Sequence, residues 1–236
     1  MQERAGIVYV TAEEMRRIDD VTIREFQVDV PMLMENAGRA TATMARRMLQ
    51  GTTIGKRVAC LVGGGNNGGD GMVAARHLAN WGANVEVIVG TTKDRMKSVP
   101  LEQLHILEKM RIPILSTDYA LRDYDLLIDA LMGYGLEGNP RDMVAVMIKD
   151  ANTSGRPILA LDVPSGMNAT TGEAYDPCIK ATSTLTLALP KTGFLARGAS
   201  LYLGDLYLAD ISIPGKVYQS FGQQNTLFQK DSLLKI

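Results

Sequence analysis

The sequence has only two cysteines, almost no net charge and no hydrophobic run long enough to cross a membrane. Cys60 and Cys178 lack metal-binding spacing and cannot build a disulfide framework, so we expect a reducing compartment, the cytoplasm. The 25 Lys and Arg residues nearly balance the 26 Asp and Glu residues, which argues against general binding to nucleic acid or anionic membranes. No segment approaches about eighteen uninterrupted apolar residues, and the first residues lack the core of a signal peptide. We therefore expect neither export nor membrane insertion.

The composition is that of an ordinary globular domain. Hydrophobic residues make up 46% of the 236 residues and charged residues 22%, which is close to the average for folded proteins. A chain of this length can bury a well-formed core in one unit. We predict a single domain over residues 1–236. Residues 215–236 are polar and weakly patterned, and we expect a docked tail or the start of a connection to a further segment.

Short β-rich runs alternate with stretches long enough for helices. Thr11-Ala12-Glu13-Glu14 matches a capping box, which predicts a helix start, and apolar spacings of three and four predict a second helix after Pro31. The predicted strands are Val58–Val62, Val85–Val89, Leu126–Ala130, Ile158–Asp162, Thr184–Leu189 and Leu206–Ala209. Most connections can hold a crossover helix, which predicts an α/β fold with a largely parallel sheet and helices on both faces. A Gly-rich stretch joins the last two strands, so we expect an antiparallel or irregular edge at the C-terminal side.

A glycine-rich loop lies between the first predicted strand and a helix. Residues 63–71 read GGGNNGGDG, with six glycines in nine positions. Glycine lets backbone amides approach a ligand closely, and a helix N-terminus adds unpaired donors and partial positive charge. The loop therefore predicts a phosphate site rather than a tight turn without a ligand. Asn66, Asn67 and Asp70 add side chains that a plain pyrophosphate turn does not require.

The same glycines raise the hypothesis of a dehydrogenase. Gly63, Gly65 and Gly68 satisfy the GxGxxG pattern of dinucleotide-binding folds, and Glu86 follows in the next strand. The acid that binds a ribose belongs at the carboxyl end of that strand, whereas Glu86 lies inside Val85–Val89. The dehydrogenase hypothesis is therefore weak.

Further polar residues occur at or just beyond the ends of other predicted strands. Asp129 and Asp162 close two of the strands, and Lys191 follows a third. Taken alone, each acid could be a helix cap or a loop residue, and the lysine could be a solvated surface residue. The carboxyl ends of parallel strands share one edge of the sheet, so all three are expected to converge with the glycine-rich loop on one site.

Together these motifs resemble the NAD(P)H-hydrate epimerase family, also known as the YjeF N-terminal domain. The resemblance covers about residues 8–214, and it rests on TAEEMRRIDD, MENAGRA, VGGGNNGGDG, DALMGYGLEG, ALDVPSGMNATTG and LTLALPKTGFL. It implies a Rossmann-like three-layer αβα sandwich, usually a homodimer, that interconverts the R and S epimers of hydrated NADH and NADPH. It also implies a functional partner, an NAD(P)H-hydrate dehydratase, either separate or fused, that converts only the S form back to the intact cofactor.

The resemblance implies roles for individual residues. Asp162 is expected to contact the nicotinamide end of the substrate and, as a carboxyl group in a glycine-walled pocket, is our candidate acid/base, with Lys191 as its partner or a second proton donor. The expected substrate-binding residues are Asn66, Asn67, Gly68, Gly69, Asp70, Gly133, Tyr134, Gly135, Leu136, Glu137, Gly138, Asn139 and Asp162. Asn67, Asp129 and Ser165 are expected to bind a potassium ion, since hard oxygen ligands with a single carboxylate suit a monovalent cation.

Two questions stay open at this point. Tyr134 departs from the family pattern, which often has Gly-Thr-Gly or a longer aromatic loop, and it could stack on the substrate or cap the pocket. The alternative function is a non-catalytic dimeric scaffold or a nucleotide-binding module of the same fold. The intact Asn67, Asp70, Asp129 and Asp162 count against the scaffold.

Overall fold

Eight strands form one sheet in the computed structural model, which describes residues 6–224 and 226–236. The strands are β1 Arg57–Val62, β2 Asn84–Val89, β3 Ile114–Leu115, β4 Leu126–Ala130, β5 Ile158–Leu161, β6 Ser183–Leu187, β7 Asp205–Ala209 and β8 Leu233–Lys235. Their order across the sheet is β3-β2-β1-β4-β5-β6-β7-β8. The first seven strands are parallel, and β8 runs antiparallel to β7.

The helices connect or flank these strands. They are α1 Ala12–Arg24, α2 Val30–Met48, α3 Asn66–Asn80, α4 Ser98–Lys109, α5 Asp142–Thr153, α6 Ser200–Leu203 and α7 Gly215–Ser220. The predicted capping box of α1 is confirmed, because the Thr11 hydroxyl accepts from the Glu14 amide at 3.1 Å and the Glu14 carboxylate accepts from the Thr11 amide at 2.7 Å. Pro31 lies in the first turn of α2, where its missing N–H costs no helical hydrogen bond.

The two faces of the sheet bury separate hydrophobic clusters. Along β1, Val58, Cys60 and Val62 belong to a cluster with residues of α2, α3 and α4, whereas Ala59 and Leu61 belong to a cluster with residues of α5. A strand that is buried on both faces is typical of a parallel sheet between two helical layers. The predicted three-layer αβα sandwich with a largely parallel sheet is therefore confirmed.

Differences from the prediction concentrate at the edges of the sheet. All six predicted strands form, with their ends shifted by at most two residues. The expected antiparallel edge at the C-terminal side is present, between β7 and β8. The last two predicted strands are themselves parallel, because the segment between β6 and β7 forms a 3-10 turn and α6 and returns β7 parallel to β6. The antiparallel strand is β8, which lies with α7 in the segment 215–236 and buries Leu233, while α7 buries Val217 and Tyr218. The two-residue β3 carries too little pattern to be predicted.

The single-domain prediction over residues 1–236 includes residues 1–5 and 225, which lie outside the described residues, and it stays a prediction. Among the helices of the described residues, none is long and apolar enough to cross a membrane.

The strand order reverses between β1 and β4. The chain moves from β1 outward through β2 to β3, and it then returns to place β4 on the other side of β1. The connections that leave β1 and β4 therefore diverge and open a crevice at the carboxyl ends of these strands, which is where open α/β sheets bind ligands.

Candidate active site

A cavity of about 1170 Å³ opens at this crevice. It is lined by residues that follow β1, β2 and β4, by residues at the ends of β5 and β6, and by side chains of α1 and α2 that cover it. Typical small-molecule pockets enclose roughly 300–1,000 Å³. The cavity is therefore large enough for an extended ligand that reaches from the end of β2 to the end of β6.

The glycine-rich loop lies at the centre of the cavity, and most of its glycines are required by packing. A Cβ on Gly63 would lie 2.1 Å from the Leu131 carbonyl oxygen, and a Cβ on Gly68 would lie 2.0 Å from the Gly63 carbonyl oxygen. Gly65, by contrast, has nothing within 4 Å of its Cβ position. The loop thus packs backbone against backbone at the end of β4, and this contact brings the N-terminus of α3 to the cavity.

The position of α3 decides which amides are available to a ligand. The helix begins at Asn66, so the amides of its first turn have no partner within the helix and can donate to an anion. The Gly69 amide instead donates to the Gly65 carbonyl at 3.1 Å, and a Cβ on Gly69 would lie 2.5 Å from the Met34 methyl carbon. The glycine at position 69 therefore makes room for the Met34 side chain of α2.

Asp162 and Lys191 form a buried ion pair at the cavity. The Lys191 ammonium donates to Asp162 Oδ1, to the Thr186 hydroxyl at 3.0 Å and to the Leu187 carbonyl at 3.0 Å. Lys191 is 1% exposed and Asp162 is 4% exposed, yet both line the cavity. A lysine buried to this degree needs such partners, since an unpaired buried charge is strongly unfavourable.

Two unusual turns hold this pair at the ends of neighbouring strands. Asp162 follows β5 with φ +67°, and the Val163 amide donates back to the Leu161 carbonyl at 2.9 Å. Ala188 follows β6 with φ +61°, and the Leu189 amide donates back to the Leu187 carbonyl at 2.7 Å in the same way. Tight three-residue turns with positive φ are rare and strained, and such strain is often found at functional sites.

Two more carboxyl groups share the cavity with Asp162. Asp70 is buried, and burial followed by the neighbouring Asp162 and Asp19 raises its pKa well above the usual value. Burial also raises the pKa of Asp19 to about 6, although a hydrogen bond from Tyr134 and the charge of Lys191 partly offset it. Near neutral pH, Asp19 can therefore both bind and release a proton.

Asp19, which lies on α1, was not among the residues predicted from the sequence. Its spacing from the buried Met15 and Ile18 places it toward the core-facing side of this amphipathic helix. A carboxylate at that position, within the segment TAEEMRRIDD, is the signal that could have identified it. Its partner is Tyr134, whose hydroxyl donates to Asp19 Oδ2 at 2.7 Å. Tyr134 thus lines the cavity with its hydroxyl anchored to α1.

Asp129 and Ser165 form a second buried polar cluster beneath the cavity. Asp129 Oδ1 accepts from the Ser165 hydroxyl at 2.6 Å, and Oδ2 accepts from the Ser165 amide at 2.8 Å. Burial raises the pKa of Asp129 to about 6, and the hydrogen bonds from Ser165 and the Leu131 amide lower it in part. In the described residues this fully buried carboxylate has no cationic side chain as an ion-pair partner.

Asn67 lies next to the loop that follows β4. A Cβ on Gly133 would lie 3.3 Å from the Asn67 Cβ and 3.6 Å from its Oδ1. The Asn67 Nδ2 is buried and has no hydrogen-bond partner. Rotation of the amide by a half turn would put its oxygen at this unsatisfied position.

Carboxylate, hydroxyl and amide oxygens are hard ligands, so the residues present fit a monovalent cation. Among the described residues, no group of three or more His, Cys, Asp or Glu side chains is arranged to hold a metal ion.

The predicted substrate-binding residues divide into two groups. Eight of them line the cavity: Asn66, Asn67, Asp70, Gly133, Tyr134, Gly135, Leu136 and Asp162. Five do not: Gly68, Gly69, Glu137, Gly138 and Asn139. The Asn139 side chain instead accepts from the Asp176 amide at 3.2 Å, which ties two loops together. The binding roles of these five residues stay predictions.

Comparison with known proteins gives consistent relatives over most of the chain. The family model for YjeF-related protein N-terminus matches residues 30–193. The NAD(P)H-hydrate epimerase of Dehalogenimonas lykanthroporepellens is 37% identical and covers 94% of this chain and 89% of its own length. The Bifunctional NAD(P)H-hydrate repair enzyme Nnr of Moorella thermoacetica is 38% identical over 88% of this chain, which spans 41% of that longer protein.

A solved structure has the same fold over nearly the whole chain. The crystal structure of the yeast protein YNL200c superposes with a TM-score of 0.85 and 26% identity, and the match covers 98% of this chain and 100% of the yeast chain. The family model and the epimerase relatives span the glycine-rich loop, Asp129 and Asp162. The chain therefore belongs to the YjeF-related N-terminal family, whose characteristic segments form its cavity.

Proposed function

We propose that this chain is an NAD(P)H-hydrate epimerase, which interconverts the R and S epimers of hydrated NADH and NADPH. The observation that carries the proposal is the buried Asp162–Lys191 pair in the same cavity as the N-terminus of α3. One part of the cavity offers amide donors for the phosphates of a dinucleotide, and the other offers groups that move protons. Relatives of similar length, such as the Lentilactobacillus buchneri protein, 38% identical over 94% of its own length, are named for this activity.

The chemistry of epimerisation explains the need for such groups. Inversion of the carbon that bears the hydroxyl requires a bond at that carbon to break and form again, and either loss of hydroxide or ring opening needs proton transfer at oxygen. Asp162 is the proposed acid/base, and Lys191 fixes its orientation and is the second candidate donor. Asp19 lies in the same cavity and titrates near neutral pH, so it can exchange a proton with the substrate or with Asp162 through bound water.

A potassium ion is the proposed cofactor, with Asn67, Asp129 and Ser165 as its ligands. A cation there would neutralise the buried Asp129 carboxylate, and after the half turn it would take the Asn67 amide oxygen as a ligand. It would connect α3 with β4 and with the loop that follows β5. Because a monovalent cation is a weak Lewis acid, its proposed role is to organise these elements.

The proposed partners follow from the family. An NAD(P)H-hydrate dehydratase, separate or fused, would consume the S epimer, and epimerisation makes the R epimer recoverable. The repair enzymes named bifunctional are more than twice as long as the segment they share with this chain. A homodimer in the cytoplasm is the proposed working form.

The direct test is the fate of a single epimer. Purified R-form hydrated NADH is incubated with the chain in potassium buffer, and chiral chromatography follows the appearance of the S form. The substrate also epimerises unaided, so buffer alone is the reference. We expect wild type to exceed this background clearly and Asp162→Asn to lose about 10²–10⁴-fold, the usual contribution of an acid/base residue. A wild-type rate equal to buffer, with ligand bound, would instead support the non-catalytic binding module.

A further inference from the structure

The part of the cavity at the end of β2, on the opposite side of β1 from Asp162, is rich in positive charge. Past the end of β2, the cavity is lined by Thr91, Arg95 and Lys97, and Arg141 at the start of α5 lines it as well. In residues 6–224 and 226–236, none of the three basic side chains forms an ion pair. Asp142 is the acidic residue that lines this end of the described cavity, so positive charge is in excess.

This basic end is fixed directly to the glycine-rich loop. The Lys97 amide donates to the Gly64 carbonyl at 2.9 Å. A Cβ on Gly64 would lie 3.1 Å from both the Thr91 methyl carbon and the Arg95 carbonyl oxygen. If the phosphates of a ligand bind at the loop, the sugar attached to them is therefore within reach of these residues.

The order of the strands indicates which of the two riboses of a dinucleotide lies there. In a Rossmann-like sheet, a dinucleotide crosses the end of β1, with its two nucleosides over opposite halves of the sheet. Asp162 and Lys191, at the ends of β5 and β6, fix the nicotinamide end of the proposed substrate on one half. The adenosine ribose then lies at the end of β2, beside Thr91 and Arg95.

Recognition of an unmodified ribose in this fold typically uses a carboxylate at the end of the second strand. Folds that bind NAD place an acid at the end of the second strand for the ribose 2′-hydroxyl, and those that bind NADP place an arginine nearby for the 2′-phosphate. Here β2 ends in Val89 and continues as Gly90-Thr91-Thr92. Glu86, the acid within β2, accepts instead from the Tyr124 hydroxyl.

We propose that Thr91, Arg95, Lys97 and Arg141 form a subsite for the 2′-phosphate, so that this chain favours hydrated NADPH over hydrated NADH. The proposal rests on the proposed function for the orientation of the substrate. Arginine suits the role because its planar guanidinium can donate two parallel hydrogen bonds to a phosphate.

The test measures binding without turnover, with two probes that differ by one phosphate. Isothermal titration calorimetry in low salt compares ADP-ribose with 2′-phospho-ADP-ribose on the full chain. We expect wild type to bind the phosphorylated probe about tenfold more tightly, as charge-assisted hydrogen bonds to one phosphate allow. Arg95→Ala and Arg141→Ala should each lose most of this preference and leave the affinity for ADP-ribose nearly unchanged.

The matched control is Lys93→Ala. Lys93 lies on the same 3-10 turn as Arg95, but it does not line the cavity and its ammonium pairs with Glu108. We expect this variant to retain the wild-type preference. Equal affinities for the two probes, no measurable binding of either, or an equal loss in Lys93→Ala would overturn the subsite.

The two proposals can fail separately. If wild type prefers 2′-phospho-ADP-ribose but does not epimerise the hydrates, the subsite is supported and the proposed epimerase activity is refuted. Epimerisation of both hydrates with equal probe affinities would refute the subsite alone.

Discussion

Replacement of Lys191 by methionine should destabilise the protein strongly, because it removes the cation from a buried pair. Methionine has nearly the length of lysine, so the change deletes the charge and three hydrogen bonds with little loss of volume. Asp162 would retain two long contacts, 3.4 Å to the Thr186 hydroxyl and 3.3 Å to the Leu187 amide. Removal of one partner of a buried ion pair typically costs about 3–5 kcal/mol of unfolding free energy. The nearby acid Asp19 adds repulsion that Lys191 no longer offsets.

A double-mutant cycle separates the ion pair from general damage to the core. The second variant is Asp162→Asn, since asparagine tolerates the φ of +67° at this position and matches the shape of aspartate. We expect each single variant to lose several kcal/mol and the double variant to lose much less than their sum. The coupling should fall at the upper end of the range for contacting residues, about 2–3 kcal/mol.

The assay is urea unfolding followed by circular dichroism at pH 7. Lys235→Met is the control, because Lys235 pairs with Asp205 at 3.0 Å with both side chains more than half exposed. Exposed pairs contribute at most about 1 kcal/mol, so this variant should unfold nearly like wild type. Additive losses in the cycle, with a coupling below about 0.5 kcal/mol, would refute the claim that the pair is an energetic unit.

Three further results are expected from the geometry of the site. Tyr134→Phe removes the hydrogen bond that lowers the pKa of Asp19, so this pKa should rise above about 6. The acidic limb of the rate–pH profile should then move to higher pH. An unchanged profile would exclude Asp19 from the reaction. Gly68→Ala should cost about 2–4 kcal/mol in urea unfolding because of its backbone clash, whereas Gly65→Ala should stay within about 1 kcal/mol, and equal losses would contradict the packing argument. Potassium chloride should raise the melting temperature above that in tetramethylammonium chloride, and Asp129→Asn should abolish the difference; a wild type that melts equally in both salts would argue against the ion.

Local sequence patterns were enough to predict the class of fold and the general position of the site. The capping box at Thr11 and the strand runs that became β1, β4 and β5 are local patterns, in which each residue's preference and the burial period agree. Because the carboxyl ends of parallel strands share one edge of the sheet, Asp162, Lys191 and the glycine-rich loop were predicted to lie together there. In the structure all three line one cavity.

Contacts between side chains that are distant in the sequence could not be predicted in this way. The sequence separates Asp19 from Tyr134 by 115 positions, and nothing local to either residue predicts their hydrogen bond. In the same way, the Met34 side chain occupies the space that a Cβ at position 69 would need, which favours glycine there. Burial beside Asp162 and Asp19 raises the pKa of Asp70. The reason is physical: strand and helix patterns depend on neighbours along the chain, whereas contact distances and desolvation depend on how distant elements pack together.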